Sequence, residues 1–186
     1  MDENPAPVTS EIPTAFGTVR LVWVPVPSGP KVQRIVLPGD SRFGDPKTGE
    51  VPVREISDGR IGALAEGIRS FLEGKDVKFD LRLLDLDRCP PFQRPVLLAE
   101  QAIPRGYVST YGRIAGHLGK PGAGRAVGNA LARNPFPVVI PCHRALRSDG
   151  SLGGFQGGPA MKRRLLELEG VRFREEGRVA MDRVWY

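Results

Sequence analysis

Three prolines, Pro135, Pro137 and Pro141, fall within seven residues, and the apolar run Val138-Val139-Ile140 stands between the last two. Each proline fixes φ near about −65° and withdraws a backbone donor, so neither a long helix nor a central strand can pass through this stretch. The run reads as a short strand that must stop at Pro141. Cys142, His143 and Arg144 follow at once. A thiol at a strand end, with an apolar wall behind it and cationic groups beside it, can have its pKa lowered and act as a thiolate nucleophile. An inert core cysteine fits the same placement. Adjacency in sequence does not by itself aim Cys142 and His143 at one reacting atom.

Around this segment the chain changes character near Arg88–Pro91, which reads as a linker. Residues 1–89 carry 12 Lys and Arg against 14 Asp and Glu, a net of −2; residues 90–186 carry 15 against 7, a net of +8. That asymmetry suits a second half that meets a polyanion, and equally a solvated basic face. A length of 186 residues allows one large domain or two small ones. No apolar run approaches the length of a membrane span. Met1 to Pro13 is polar, proline-rich and acidic, and reads as a flexible tail rather than a signal peptide. Two cysteines, Cys89 and Cys142, make no disulfide framework, so a reducing, cytoplasmic home is expected (nuclear in a eukaryote).

The pattern of apolar residues gives the elements. Val19, Leu21 and Trp23 alternate as a strand, a second strand covers Lys31 to Leu37, and the two form a hairpin. Residues 38–52 are loop. Ile61, Leu64, Ala65, Ile68 and Leu72 recur at helical spacing, with Asp58 as cap and Gly74 as stop. Val77, Phe79, Leu81 and Leu83 alternate as a further strand. Beyond the linker, helices are expected over 92–103, from Thr110 to about Leu118, and over 123–133, the last two joined by the turn Lys120-Pro121-Gly122. Such a pair is a helix-turn-helix pattern. Pro159 starts a final helix. Residues 179–186 have strand-like composition.

Five blocks carry a resemblance when taken together. They are Gly106-Tyr107-Val108-Ser109-Thr110-Tyr111-Gly112-Arg113-Ile114-Ala115, Gly124-Arg125-Ala126-Val127-Gly128-Asn129-Ala130, the Asn134-Pro135 to Cys142-His143-Arg144 segment, Gly153-Gly154-Phe155-Gln156-Gly157-Gly158, and Leu165-Leu166-Glu167-Leu168-Glu169-Gly170. In this order and spacing the chain resembles the O6-alkylguanine-DNA alkyltransferases (methylated-DNA–protein-cysteine methyltransferases), from about Phe92 to Gly170 and more weakly toward the N-terminus. The resemblance implies an α/β (α+β) chain. Its parts would be a small ribonuclease H-like N-terminal domain over 14–88 and a helical winged-helix or helix-turn-helix domain over 89–186.

What it implies for function is direct-reversal DNA repair by a monomer. Duplex DNA carrying O6-alkylguanine is the partner, O4-alkylthymine is a second substrate, and each molecule acts once to give an irreversible S-alkylcysteine at Cys142. Glu169 would orient His143, and His143 would reach Cys142 through a water, in the logic of a catalytic triad. Asn134 would tie the helix pair to the cysteine turn. Tyr111 would crowd the target phosphate and donate to guanine N3. The second helix, with Ala126, Gly128, Ala130 and Arg133, would lie in the minor groove, and Arg125 would fill the space of the extruded base. Pro137, Ala145, Phe155, Gln156 and Gly157 would line the pocket.

The chain departs from the commonest family pattern at Phe155, where tyrosine is frequent, and at Gln156, where serine often contacts O6. Leu98 stands where tryptophan is common. The small residues of the second helix also suit close packing against another helix. A structural zinc needs about four Cys or His ligands; Cys89, His117, Cys142 and His143 are the candidates, and the motif claims the last two, so no metal is expected. No nucleotide cofactor is expected either, since phosphate-binding fingerprints are absent. The alternative from another class is a non-catalytic helix-turn-helix DNA or lesion binder with an inert cysteine. Arg94, Arg105, Arg113, Arg125, Arg133 and Arg144 are the candidates for phosphate contacts.

Overall fold

In the computed structural model, residues 6–40 and 51–186 are described, and the chain divides into two compact units, 1–88 and 89–186. In the first, β1 (Val8–Thr14), β2 (Gly17–Val24) and β3 (Lys31–Val36) form an antiparallel meander. The register sets Ile12 opposite Val19, Ser10 opposite Leu21 and Val8 opposite Trp23, so one face is buried. α1 (Gly59–Leu72) covers β1. The Asp58 side chain accepts from the Arg60 N–H and caps it, satisfying an end donor that no helix bond reaches.

Two expectations fail here. Val8–Thr14, expected within a flexible tail ending at 13, is a strand. Its composition is polar and proline-rich, yet Ser10 is buried and accepts from Trp23 Nε1 at 3.2 Å. A hydrogen bond thus removes the cost of a polar inward position. Residues 77–83 do not form a strand. The Asp80 side chain accepts from the Arg82 N–H and turns Leu81–Leu83 into a single 3-10 turn, and only Leu84 pairs with Val32. Residues 1–5 of the expected tail and 41–50 of the expected loop lie outside the described residues.

The second unit is built from helices around short parallel pairing. Its elements are α2 (Gln93–Gln101), β4 (Ser109–Thr110), α3 (Tyr111–His117), α4 (Gly124–Ala132), β5 (Ala145–Leu146) and α5 (Gly158–Leu168). Thr110 caps α3, accepting from the Arg113 N–H at 3.2 Å. β4 pairs with β5, Ser109 with Ala145 and Thr110 with Leu146. That pairing sets Tyr111 beside the residues that follow Cys142. The chain end closes over the same region: Val108 N–H bonds Arg183 O, Trp185 N–H bonds Val108 O, and the Tyr186 hydroxyl bonds Ala99 O at 3.0 Å. Among the described residues, no helix is long and apolar enough to cross a membrane.

Val138–Ile140 is not a strand. Asn134 explains why. Its Oδ1 accepts from Phe136 N–H at 2.9 Å and its Nδ2 donates to Ile140 O at 3.1 Å, folding the run into a turn. Val138 is left at φ 75°, a costly conformation for a β-branched residue. Cys142 therefore opens a 3-10 turn, Cys142–Arg144, rather than ending a strand.

Candidate active site

α3 and α4 pack closely because α4 is small where they meet. A Cβ on Gly128 would sit 3.8 Å from the Tyr111 ring, and one on Gly124 would sit 3.4 Å from the Gly112 backbone. The glycines thus serve helix packing. Ala126 and Arg125 stay exposed, and Ala130 is buried. The C-terminal end of α4 is held by a residue that sequence reasoning missed. Gln93 Nε2 donates to Ala130 O at 2.8 Å and to Arg133 O at 3.0 Å.

Cys142 lies in a cleft of about 190 Å3. Tyr111, Gly128 and Leu131 form one wall, and Arg147 with the loop 153–156 the other. Gly153 adopts φ +65° and passes so near Tyr111 that a Cβ would lie 2.6 Å from the phenol oxygen. Phe155 and Gln156 belong to the lining; Pro137, Ala145 and Gly157 do not. The Gln156 side-chain amide donates to Asn134 O, so that N–H serves the loop. Pro137 is buried in the cysteine turn, paired with Ile140. Ala145 is buried in β5. Gly157 packs on Met161.

Below the thiol, charges are held out of water. Glu169 Oε1 stands 2.9 Å from His143 Nε2, and Arg144 grips both carboxylate oxygens at 2.8 and 2.7 Å. Arg144 also donates to Ile103 O at 2.6 Å. It is therefore structural rather than a phosphate contact. Burial pushes the Glu169 carboxyl up, but His143 and Arg144 more than offset this and bring it down to about 2. An ionised Glu169 requires the proton of His143 on Nε2, which leaves the buried Nδ1 as the basic nitrogen. Burial also holds the imidazole pKa below its ordinary value, against the pull of Glu169.

The thiol departs from expectation. Burial raises Cys142 to about 11, with an Asn134 hydrogen bond and Lys162 pulling the other way. A resting thiol, not a thiolate, occupies the cleft, so a base is required. Lys162 and Glu100 are two further buried titratable groups that sequence reasoning missed. Lys162 Nζ donates to Ala145 O at 2.7 Å and Gly154 O at 3.3 Å. Among the described residues neither carboxylate oxygen of Glu100 completes a hydrogen bond of good geometry; burial lifts that carboxyl to about 8, against the pull of Lys162, Arg144 and the Ala145 backbone N–H. The helical period could have found both. Glu100 falls between Val96, Leu97 and Ile103, and Lys162 between Met161 and Leu165, on the inward stripes.

A wider groove of about 680 Å3 opens beside the cleft, lined by Tyr111, Gly124, Arg125, Asn129, Arg147 and Asp149 among others. Arg125 projects into it. Arg133 bonds back to Asn129 O at 3.3 Å, Arg105 donates to Leu168 O, and Arg113 to Tyr186 O. Arg94 is exposed on α2. His117 stacks on Tyr186, ring centres 3.8 Å apart.

Comparison with known proteins agrees with this geometry. Residues 91–171 match the family model of the 6-O-methylguanine DNA methyltransferase DNA-binding domain. The chain is 44% identical over 137 residues to a methylated-DNA–protein-cysteine methyltransferase of Methanothermobacter thermautotrophicus, covering 74% of this chain and 72% of that one. It is 51% identical over 115 residues to one from Salmonella typhimurium, covering 62% and 67%. Among solved structures, O6-methylguanine methyltransferase of Mycobacterium tuberculosis superposes with a TM-score of 0.72 at 31% identity, over 88% of this chain and 92% of that one. A structure of the same Mycobacterium protein in complex with DNA gives 0.71, over 87% and 91%.

Proposed function

Because the chain belongs to the methylated-DNA–protein-cysteine methyltransferase family, we propose a base-flipping, single-use alkyl transfer from O6-alkylguanine, and from O4-alkylthymine, to Cys142. The observation that carries this reading is the cleft itself. Cys142 lines it, the groove opens into it past Tyr111, and the Glu169–His143 pair lies beneath. In this reading the first unit, with β1 to β3 and α1 and ending at Arg88, forms the ribonuclease H-like domain and 89–186 the winged-helix domain, with α3 and α4 as its helix-turn-helix. α4 enters the minor groove. An alkyl carbon on guanine O6 is out of reach within the stack, so the nucleotide must turn out into the cleft, and Arg125 takes its place. The protein works as a monomer in the compartment that holds the DNA.

The chemistry follows from the buried charges. His143 Nδ1 takes the thiol proton through a water, and the resulting imidazolium is stabilised by the Glu169 carboxylate. Sγ attacks the alkyl carbon and forms the C–S bond, the C–O6 bond breaks with its electrons passing to the purine, and the purine is protonated as His143 gives up the thiol proton to solvent. Tyr111 lends a hydrogen bond to N3 as the purine becomes negative. Burial holds its phenol up at about 12, so it remains a donor at neutral pH. Among the described residues, none lining the cleft can cleave the C–S bond of the product thioether, and the protein is spent.

The test is Arg125→Ala. The side chain is exposed and remote from the thiol chemistry, so folding is untouched. Flipping costs a few kcal/mol of unstacking and unpairing. Transfer from duplex should therefore slow about tenfold to a hundredfold, with transfer from free O6-methylguanine base unchanged. Equal slowing on both substrates would show that Arg125 acts elsewhere.

A further inference from the structure

Three residues line both the reactive cleft and the outer groove: Tyr111, Gly128 and Arg147. Arg147 alone among them is a cation. It follows directly after β5 and starts a stiff turn. Its N–H bonds Ser151 O at 3.0 Å, and Gly150 N–H bonds its carbonyl at 3.0 Å. Gly150 itself sits at φ +79°, where a Cβ would lie 3.0 Å from Val179 O. The Arg147 backbone is therefore fixed at the seam between cleft and groove.

Its guanidinium is exposed and makes no hydrogen bond or ion pair with any described residue. The charged groups nearby are already engaged. Arg144 is consumed by Glu169. Asp149 accepts from the Ser151 hydroxyl at 2.7 Å and pairs with Arg178 at 3.8 Å. The field of Arg147 nonetheless reaches inward, since it lowers the pKa of both Tyr111 and buried Lys162. A fixed, unneutralised arginine at this seam meets an oxyanion well, because its planar fork matches phosphate oxygens two at a time.

An extruded nucleotide has its base in the cleft and its phosphate at the mouth. We propose that Arg147 grips the phosphate of the turned-out nucleotide, a contact that forms only after the base has left the stack. The proposal rests on the flipping reading above. It differs from the role of Arg125, which fills the vacated stack. A carboxylate on the alkyl group is the other oxyanion that could meet this side chain, but it would lie at the cleft floor near Cys142 rather than at the mouth.

The experiment compares wild type with Arg147→Gln on four substrates. These are O6-methylguanine in duplex, the same duplex with neutral methylphosphonates flanking the lesion, O6-carboxymethylguanine in duplex, and free O6-methylguanine base. Arg147→Gln should slow transfer from the methylated duplex at least tenfold and leave the free base rate unchanged. Methylphosphonates should slow wild type by a similar factor and the variant little further. Affinity for undamaged duplex should be nearly unchanged, because no phosphate has yet been brought to the mouth. Slowing on the free base, or a variant as sensitive to methylphosphonate as wild type, overturns the phosphate grip. So does slowing confined to the carboxymethyl substrate. Wild-type protein that takes no alkyl group from any substrate overturns the transfer reading instead, and this proposal with it.

Discussion

Glu169→Ala is expected to destabilise the 89–186 unit by about 3–5 kcal/mol, the usual cost of removing one partner from a buried ionic group. The carboxylate holds the Arg144 fork and the His143 ring at once, and its removal leaves a guanidinium buried and unpaired. That is a large part of the roughly 5–15 kcal/mol that holds a domain folded. The acid limb should change as well. The folded pKa of Glu169 lies at about 2, below the ordinary 4.5, so its contribution is full above 4.5 and is lost as pH falls toward 2. Wild type should lose stability across that window, and the variant should lack this component. Thermal unfolding of the full chain from pH 2 to 7 measures both. A variant within about 1 kcal/mol of wild type, with the same acid limb, would mean that Glu169 is not what holds the cysteine turn; buried pairs rarely break so cheaply. Transfer by any folded Glu169→Ala should fall at least about a hundredfold, the low end of what a positioned base supplies.

The second large effect is expected at Gly153. A Cβ there meets the Tyr111 phenol oxygen at 2.6 Å, and φ is +65°. The tyrosine cannot yield easily, since its ring already rests against Gly128 on α4. Gly153→Ala should cost about 1–2 kcal/mol of backbone strain and displace either the loop or Tyr111. A misplacement on the order of 1 Å can cost about a hundredfold in rate. Gly154→Ala is the control, because nothing lies within 4 Å of its Cβ and its φ is not positive. Single-turnover transfer by the two variants decides it. Equal rates would show that the Tyr111–Gly153 approach does not matter to the reaction.

Local signals in the sequence carried much of the second unit. Thr110 caps α3, Pro159 stands in the first turn of α5, and helical spacing places α2 and α4 within one or two residues of their ends. Elements decided by a side-chain hydrogen bond, which apolar patterning does not register, differ from expectation. The run Val138–Ile140 has strand composition but is bent by the Asn134 side chain, and residues 77–83 alternate but are turned by Asp80. β1 hid behind a polar, proline-rich composition because its inward serine finds Trp23 across the sheet. At the site, the motif residues were legible through resemblance, whereas the depth of burial was not. Cys142 was expected to sit beside cations that lower its pKa. Burial instead raises it, which shifts the burden of activation onto His143. Arg147, a lone arginine after an apolar pair, carries no periodic signal; the β4–β5 pairing brings it to Tyr111.

The central claim is covalent transfer to one named sulfur. Intact mass after incubation with duplex containing O6-methylguanine tests it most directly. The expected result is a gain of one methylene per chain, located on Cys142 by peptide mapping and absent in Cys142→Ser. Unmodified wild-type protein that still binds the damaged duplex would contradict the claim and leave Cys142 an inert cysteine in a DNA-binding fold.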